Sequence, residues 1–172
     1  MSRAVLAVVS SKQCRHCMDF YRDTWPELSS ELKNISGIEV VEIKLETLSS
    51  PLDTSKYPSG LSKYLKWFPM LILVPTASYQ QGLLNKDAKI NPVIMNGKAN
   101  DSGVEYSNEG YRMDKASILR WINTSLEKPQ FVNTPQNPTT SIKPLVSSGG
   151  GRGKMIVAQG GDVCGNMVVK GW

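Results

Sequence analysis

The sequence predicts an α/β fold: a mixed central sheet flanked by helices, followed by an extended Pro/Gly-rich C-terminal arm. Three observations carry this. Residues 4–9, "AVLAVV", and 68–75, "FPMLILVP", are continuous apolar runs, as expected of strands buried on both faces. Between and after them, apolar residues recur at spacings of three and four, the period of a helix. From Pro129 that periodicity is lost and Pro, Gly, Ser and Thr dominate.

Taken in order, the first strand begins almost at the N-terminus and runs into "SSKQCRHC". A helix comes next. Its face is Cys17, Tyr21, Trp25, Leu28, Leu32 and Ile35, with a kink expected at Pro26 and a stop at Gly37. "IEVVEIKLE", residues 38–46, alternates with Val41, Ile43 and Leu45 on one side and Glu42, Lys44 and Glu46 on the other, which predicts a half-buried strand. Residues 49–58 read as loop, and 60–66 as a short helix. Pro69 opens the next strand, a position where a missing N–H costs no ladder bond. Residues 76–91 read as a polar connection. "PVIMNG", residues 92–97, ends in Asn-Gly, a hairpin signal. Asp114 should cap a last helix whose face is Ile118, Trp121, Ile122, Ser125 and Leu126. The expected division is a folded domain over 1–128 and an arm over 129–172.

The chain has 172 residues, a formal charge of +5 and a pI near 9.1. That charge is too small to argue for nucleic acid. It is also uneven. Residues 1–128 carry 16 Lys/Arg and 14 Asp/Glu, whereas 129–172 carry 4 Lys/Arg and Asp162 alone. No stretch reaches the roughly 18 apolar residues of a membrane span. The N-terminus lacks the length and cleavage site of a signal peptide. The expected location is therefore intracellular (cytoplasmic), or inside a particle assembled in a cell. Three cysteines are too few for a secreted disulfide scaffold.

Zinc asks for four ligands. The chain offers three cysteines and one histidine, with His16 between Cys14 and Cys17 and Cys164 far off in the arm. No metal and no small-molecule cofactor is expected. "GGGRGK", residues 149–154, does not make a phosphate loop, because Ser148 stands where the first glycine would fall and Met155 follows the lysine.

The order of a buried strand, Cys-x-x-Cys at the start of a kinked helix, a proline-opened strand and a closing helix resembles the thioredoxin-like superfamily. Cys14 and Cys17 stand where that family keeps its nucleophilic and resolving cysteines. "WPEL" (25–28) is similar to its helix proline and the apolar residues after it. Phe68-Pro69 is similar to its strand-opening proline, which the resemblance implies is cis and faces the dithiol. "EGYRMDKASILRWI" (109–122) is similar to its glycine turn, basic residue and final helix. The resemblance covers about residues 1–128. The chain departs from the family in having Gln13 in place of the usual tryptophan before the first cysteine, and in its insertions at 76–91 and 97–106.

The spacing suits dithiol chemistry. Cα atoms three apart in a helical turn are roughly 5–5.5 Å apart, within the disulfide window of about 4.4–6.8 Å. At a helix N-terminus, free N–H groups and the dipole stabilise a thiolate. Arg15 and His16 add positive charge, and a histidine between the cysteines is similar to the strongly oxidising members of the superfamily. The expected site is therefore Cys14 as exposed nucleophile, Cys17 as buried resolver, Arg15 and His16 as electrostatic aids, and Pro69 presenting its backbone to the partner's chain.

Two functional classes are open on this reading. One is a thiol–disulfide oxidoreductase acting on protein cysteines. The other is a structural component of a large particle, such as a minor capsid protein of a virion, whose arm over 129–172 binds neighbouring subunits. The arm's composition motivates the second: such a segment cannot bury enough apolar area alone to offset its ordering entropy and needs a partner surface. In both classes the partners are proteins.

Overall fold

A computed structural model describes residues 2–107 and 113–132. The element order is β1 (Ala4–Ser11), α1 (Arg15–Asp23), α2 (Trp25–Leu32), β2 (Ile38–Leu45), a 3-10 helix (Ser59–Tyr64), β3 (Met70–Pro75), α3 (Thr76–Leu84), β4 (Val93–Ile94), β5 (Gly97–Asn100), β6 (Gly103–Tyr106), α4 (Lys115–Leu126) and α5 (Pro129–Val132). Four strands form a mixed sheet in the order β2-β1-β3-β4, with β1 parallel to β2 and antiparallel to β3. Strands β5 and β6 form a separate antiparallel ribbon. The predicted α/β class holds, with helices on both faces of a mixed sheet.

The two apolar runs are the central strands, and every residue of β1 and β3 is buried. Successive side chains on a strand alternate between faces. Ala4, Leu6, Val8, Leu71 and Leu73 therefore meet Phe20, Leu28, Leu32, Ile118, Ile122, Leu126 and Phe131 from α1, α2, α4 and α5. Val5, Ala7, Val9, Met70, Ile72 and Val74 meet Leu61, Tyr64, Tyr79 and Ile90 on the other face. At the edge, β2 buries Ile43 and Leu45 and half-buries Val41, the alternation read from its sequence.

Four elements differ from the sequence expectation. The kinked helix is two helices: α1 ends at Asp23, and Thr24 caps both, with Pro26 in the first turn of α2 where its lost N–H costs nothing. The second helix stops at Leu32. Gly37 instead turns the chain into β2 at φ +86°, and its carbonyl accepts from the N–H groups of Arg3 and Ala4 at 2.8 and 3.1 Å. Residues 76–84 are helical rather than a polar connection. The hairpin turn is at Asp101-Ser102, between β5 and β6. Asn96, at φ +64°, leads the chain from the main sheet to the ribbon.

The last helix matches its expectation closely. Asp114 accepts from the N–H of Ser117 at 2.9 Å, and Ile118, Ile122, Ser125 and Leu126 are buried. Beyond it, Pro129–Val132 form one helical turn that seats Phe131, 1% exposed, in the core. The rest of the proposed arm, 133–172, and the segment 108–112 that includes the expected glycine turn lie outside the described residues. Among the described residues no helix is long and apolar enough to cross a membrane.

Candidate dithiol site

The site forms where β1 gives way to α1. Cys14 is the N-cap of α1, with extended backbone (φ −96°, ψ 113°), and its Sγ accepts the N–H of Cys17 at 3.2 Å. An N-cap side chain normally supplies an oxygen to satisfy one of the four unpaired N–H groups of a first helical turn. Here a sulfur does so. The thiol of Cys14 also lies 3.5 Å from the carbonyl oxygen of Phe68, to which it donates.

Phe68 precedes Pro69 through a cis peptide bond, immediately before β3. Because β1 and β3 pair antiparallel with Val9 opposite Met70, the end of β1 and the start of β3 share one edge of the sheet. That register brings the loop carrying Cys14 beside the Phe68-Pro69 segment.

Both cysteines are free thiols and both are buried: Cys14 is 7% and Cys17 2% exposed. Cys14, expected as an exposed nucleophile, is instead buried, because it caps α1 and rests against the Phe68 carbonyl, whereas Cys17 is buried as expected. Arg15 and His16 point outward and are exposed. Burial pushes the Cys17 thiol up to about 12, and the neighbouring Cys14 adds to the shift, against a smaller downward pull from the Ser11 backbone. At neutral pH Cys17 is therefore a protonated thiol.

Beside Cys17 lies a cavity of about 170 Å³, lined by Ser10, Ser11, Lys12, Met18, Tyr21 and Lys44. Sequence periodicity places Tyr21 on the core face of the first helix. Its ring does pack there, 5.5 Å from Phe20 and 5.7 Å from Trp25 between centroids. Its hydroxyl does something the periodicity cannot report: Oη is buried and makes no hydrogen bond of good geometry. Burial raises the Tyr21 pKa. The nearby Ser10 hydroxyl lowers it, and the Glu42 carboxylate, drawing on the phenolic proton, raises it again. Lys44 stands over the Tyr21 ring, 4.8 Å from its centroid, and pairs with Glu42 at 3.4 Å.

On the opposite side of the Phe68-Pro69 segment, Trp67 stacks edge-on against Tyr106 of β6, with centroids 5.2 Å apart. Gly97 makes this contact possible, since a Cβ there would come within 2.9 Å of the Trp67 ring and 2.8 Å of Val104.

No protein-family model matches the sequence, and no curated protein does either.

Proposed function

We propose that the chain is a thiol–disulfide oxidoreductase of thioredoxin-like fold, acting on protein cysteines through Cys14 and Cys17. The observation that carries this reading is the seat of Cys14: a sulfur that caps a helix, accepts the N–H of Cys17 and stands against the carbonyl of Phe68. Sulfur is a poor structural cap. A sulfur at a helix start, one turn from a second thiol, is placed for exchange chemistry.

The exchange balances in two steps. The Cys14 thiolate attacks one sulfur of a protein disulfide, forming a mixed disulfide and releasing the other sulfur as a thiolate. Cys17 then loses its proton and attacks Cys14 Sγ. The mixed disulfide breaks, the second partner sulfur leaves as a thiolate, and Cys14–Cys17 becomes the disulfide. The partner is reduced and the chain oxidised; run backwards, the chain oxidises the partner. Phe68 and Pro69 offer the backbone against which a partner's extended segment would lie.

Purified, reduced protein should release thiols from a protein disulfide at pH 7. Cys14→Ser should abolish that release, and Cys17→Ser should trap the mixed disulfide, visible as a covalent adduct by mass spectrometry. A wild-type chain with both thiols free that exchanges with nothing overturns the reading.

A further inference from the structure

A protonated thiol buried beside a closed helix start has to send its proton somewhere before it can attack. The strand register shows where. On parallel β1 and β2, Val8 faces Glu42 and Ser10 faces Lys44, so the side chains of Ser10, Glu42 and Lys44 all project to the face that α1 covers. On α1, Cys17 and Tyr21 are one turn apart and stack along the same side of the helix. The helix and the edge strand thus bring Cys17, Tyr21, Ser10 and Lys44 around one cavity, and Glu42 stands beside it, 3.4 Å from Lys44. Its inner wall is the Cys17 side chain, and Lys44 of β2 forms part of its outer wall.

Resting on the oxidoreductase reading, we infer that Tyr21 and Glu42 form the proton exit for Cys17. As Cys17 Sγ forms its bond to Cys14 Sγ, its proton passes to Tyr21 Oη, directly or over water in the cavity. The phenolic proton passes on to the Glu42 carboxylate, and the partner sulfur departs as a thiolate. Glu42 then returns the proton to solvent from the sheet edge, where it is exposed. Tyr21 is neutral before and after. The cavity is large enough to admit water, and Ser10 supplies a further hydroxyl in its wall.

The arrangement gives a use to a buried hydroxyl that makes no hydrogen bond of good geometry. It also makes sense of an acidic residue kept on the helix-covered face of β2. The other charged groups turned to this cavity are Lys12, held by Glu46 at 2.7 Å, and Lys44, held by Glu42. Cys14 is the remaining titratable neighbour of Cys17.

The test uses a symmetrical aromatic disulfide whose released thiolate absorbs visible light, mixed with the full-length reduced chain in stopped flow. The first release reports attack by Cys14. The second reports resolution by Cys17. Tyr21→Phe keeps the ring packing and Glu42→Gln changes an exposed edge residue, so both should fold. In each variant the ratio of second to first rate should fall about 100-fold at pH 7, within the usual range for loss of proton-transfer catalysis. Above pH 7 the second rate of either variant should climb about tenfold per pH unit, following the Cys17 thiolate population, whereas the wild type stays flatter. Glu42→Asp should recover part of the ratio. A ratio within twofold of wild type in both variants overturns the proton exit, as does a loss that is the same at every pH. A wild type that gives no second release overturns the oxidoreductase reading itself.

Discussion

On the face covered by α3 and the 3-10 helix, apolar contact runs from Val5 to Val9 of β1 without interruption, closed over by Leu61, Tyr64, Tyr79 and Ile90. On the face covered by α1, α2 and α4 it runs from Ala4 through Val8 and stops at Ser10. There the packing opens into the cavity beside Cys17. The strands are the same and the alternation is the same. The difference arises at the C-terminal end of β1: the chain turns there into α1 with a sulfur as cap, so one end of one layer is left loosely filled beside the two thiols. One face is therefore sealed, while the other gives up some packing beside the paired cysteines.

That comparison can be broken by substitution. Leu61→Ala on the sealed face removes a side chain that is 0% exposed, and should cost about 2–5 kcal/mol, read from the urea midpoint at constant m-value. Asp114→Ala, on the other face but remote from the cavity, removes the cap of α4 and should cost about 1 kcal/mol in the same titration. Met18→Ala, at the rim of the cavity and 57% exposed, should shift stability by less than about 0.5 kcal/mol. A Met18 effect as large as that of Leu61 would mean the open end is packed like the sealed face, and the contrast would fail.

Much of this was legible in the chain itself. Short, uninterrupted apolar runs rich in valine, isoleucine and leucine and bounded by polar residues or proline fit strands with both faces covered, so β1 and β3 were readable. Asp114 followed by an apolar stripe gave α4. The spacing of Cys14 and Cys17 was readable directly, whereas the approach of the Phe68-Pro69 segment was anticipated only through the resemblance to the thioredoxin-like superfamily. The helix α3 was not. Its sequence, "TASYQQGLL", has no apolar stripe and buries only Tyr79 and Gly82, so it is held by docking rather than by pattern. The Asn-Gly pair misled because a left-handed turn can bend a chain between sheets as well as within a hairpin. The surroundings of the Tyr21 hydroxyl were invisible for a different reason. Its neighbours Ser10 and Glu42 are brought to it by the pairing of β1 with β2, and that register is a long-range outcome no local motif announces.

The flanks of the sheet have a consequence of their own. One outermost strand, β4, is two residues long, and the other, β2, places Glu39, Glu42 and Lys44 among its eight side chains. Short margins and dispersed charge discourage a neighbouring polypeptide from zipping on as an additional ribbon. At high concentration these borders should keep copies of the molecule from stitching together side by side.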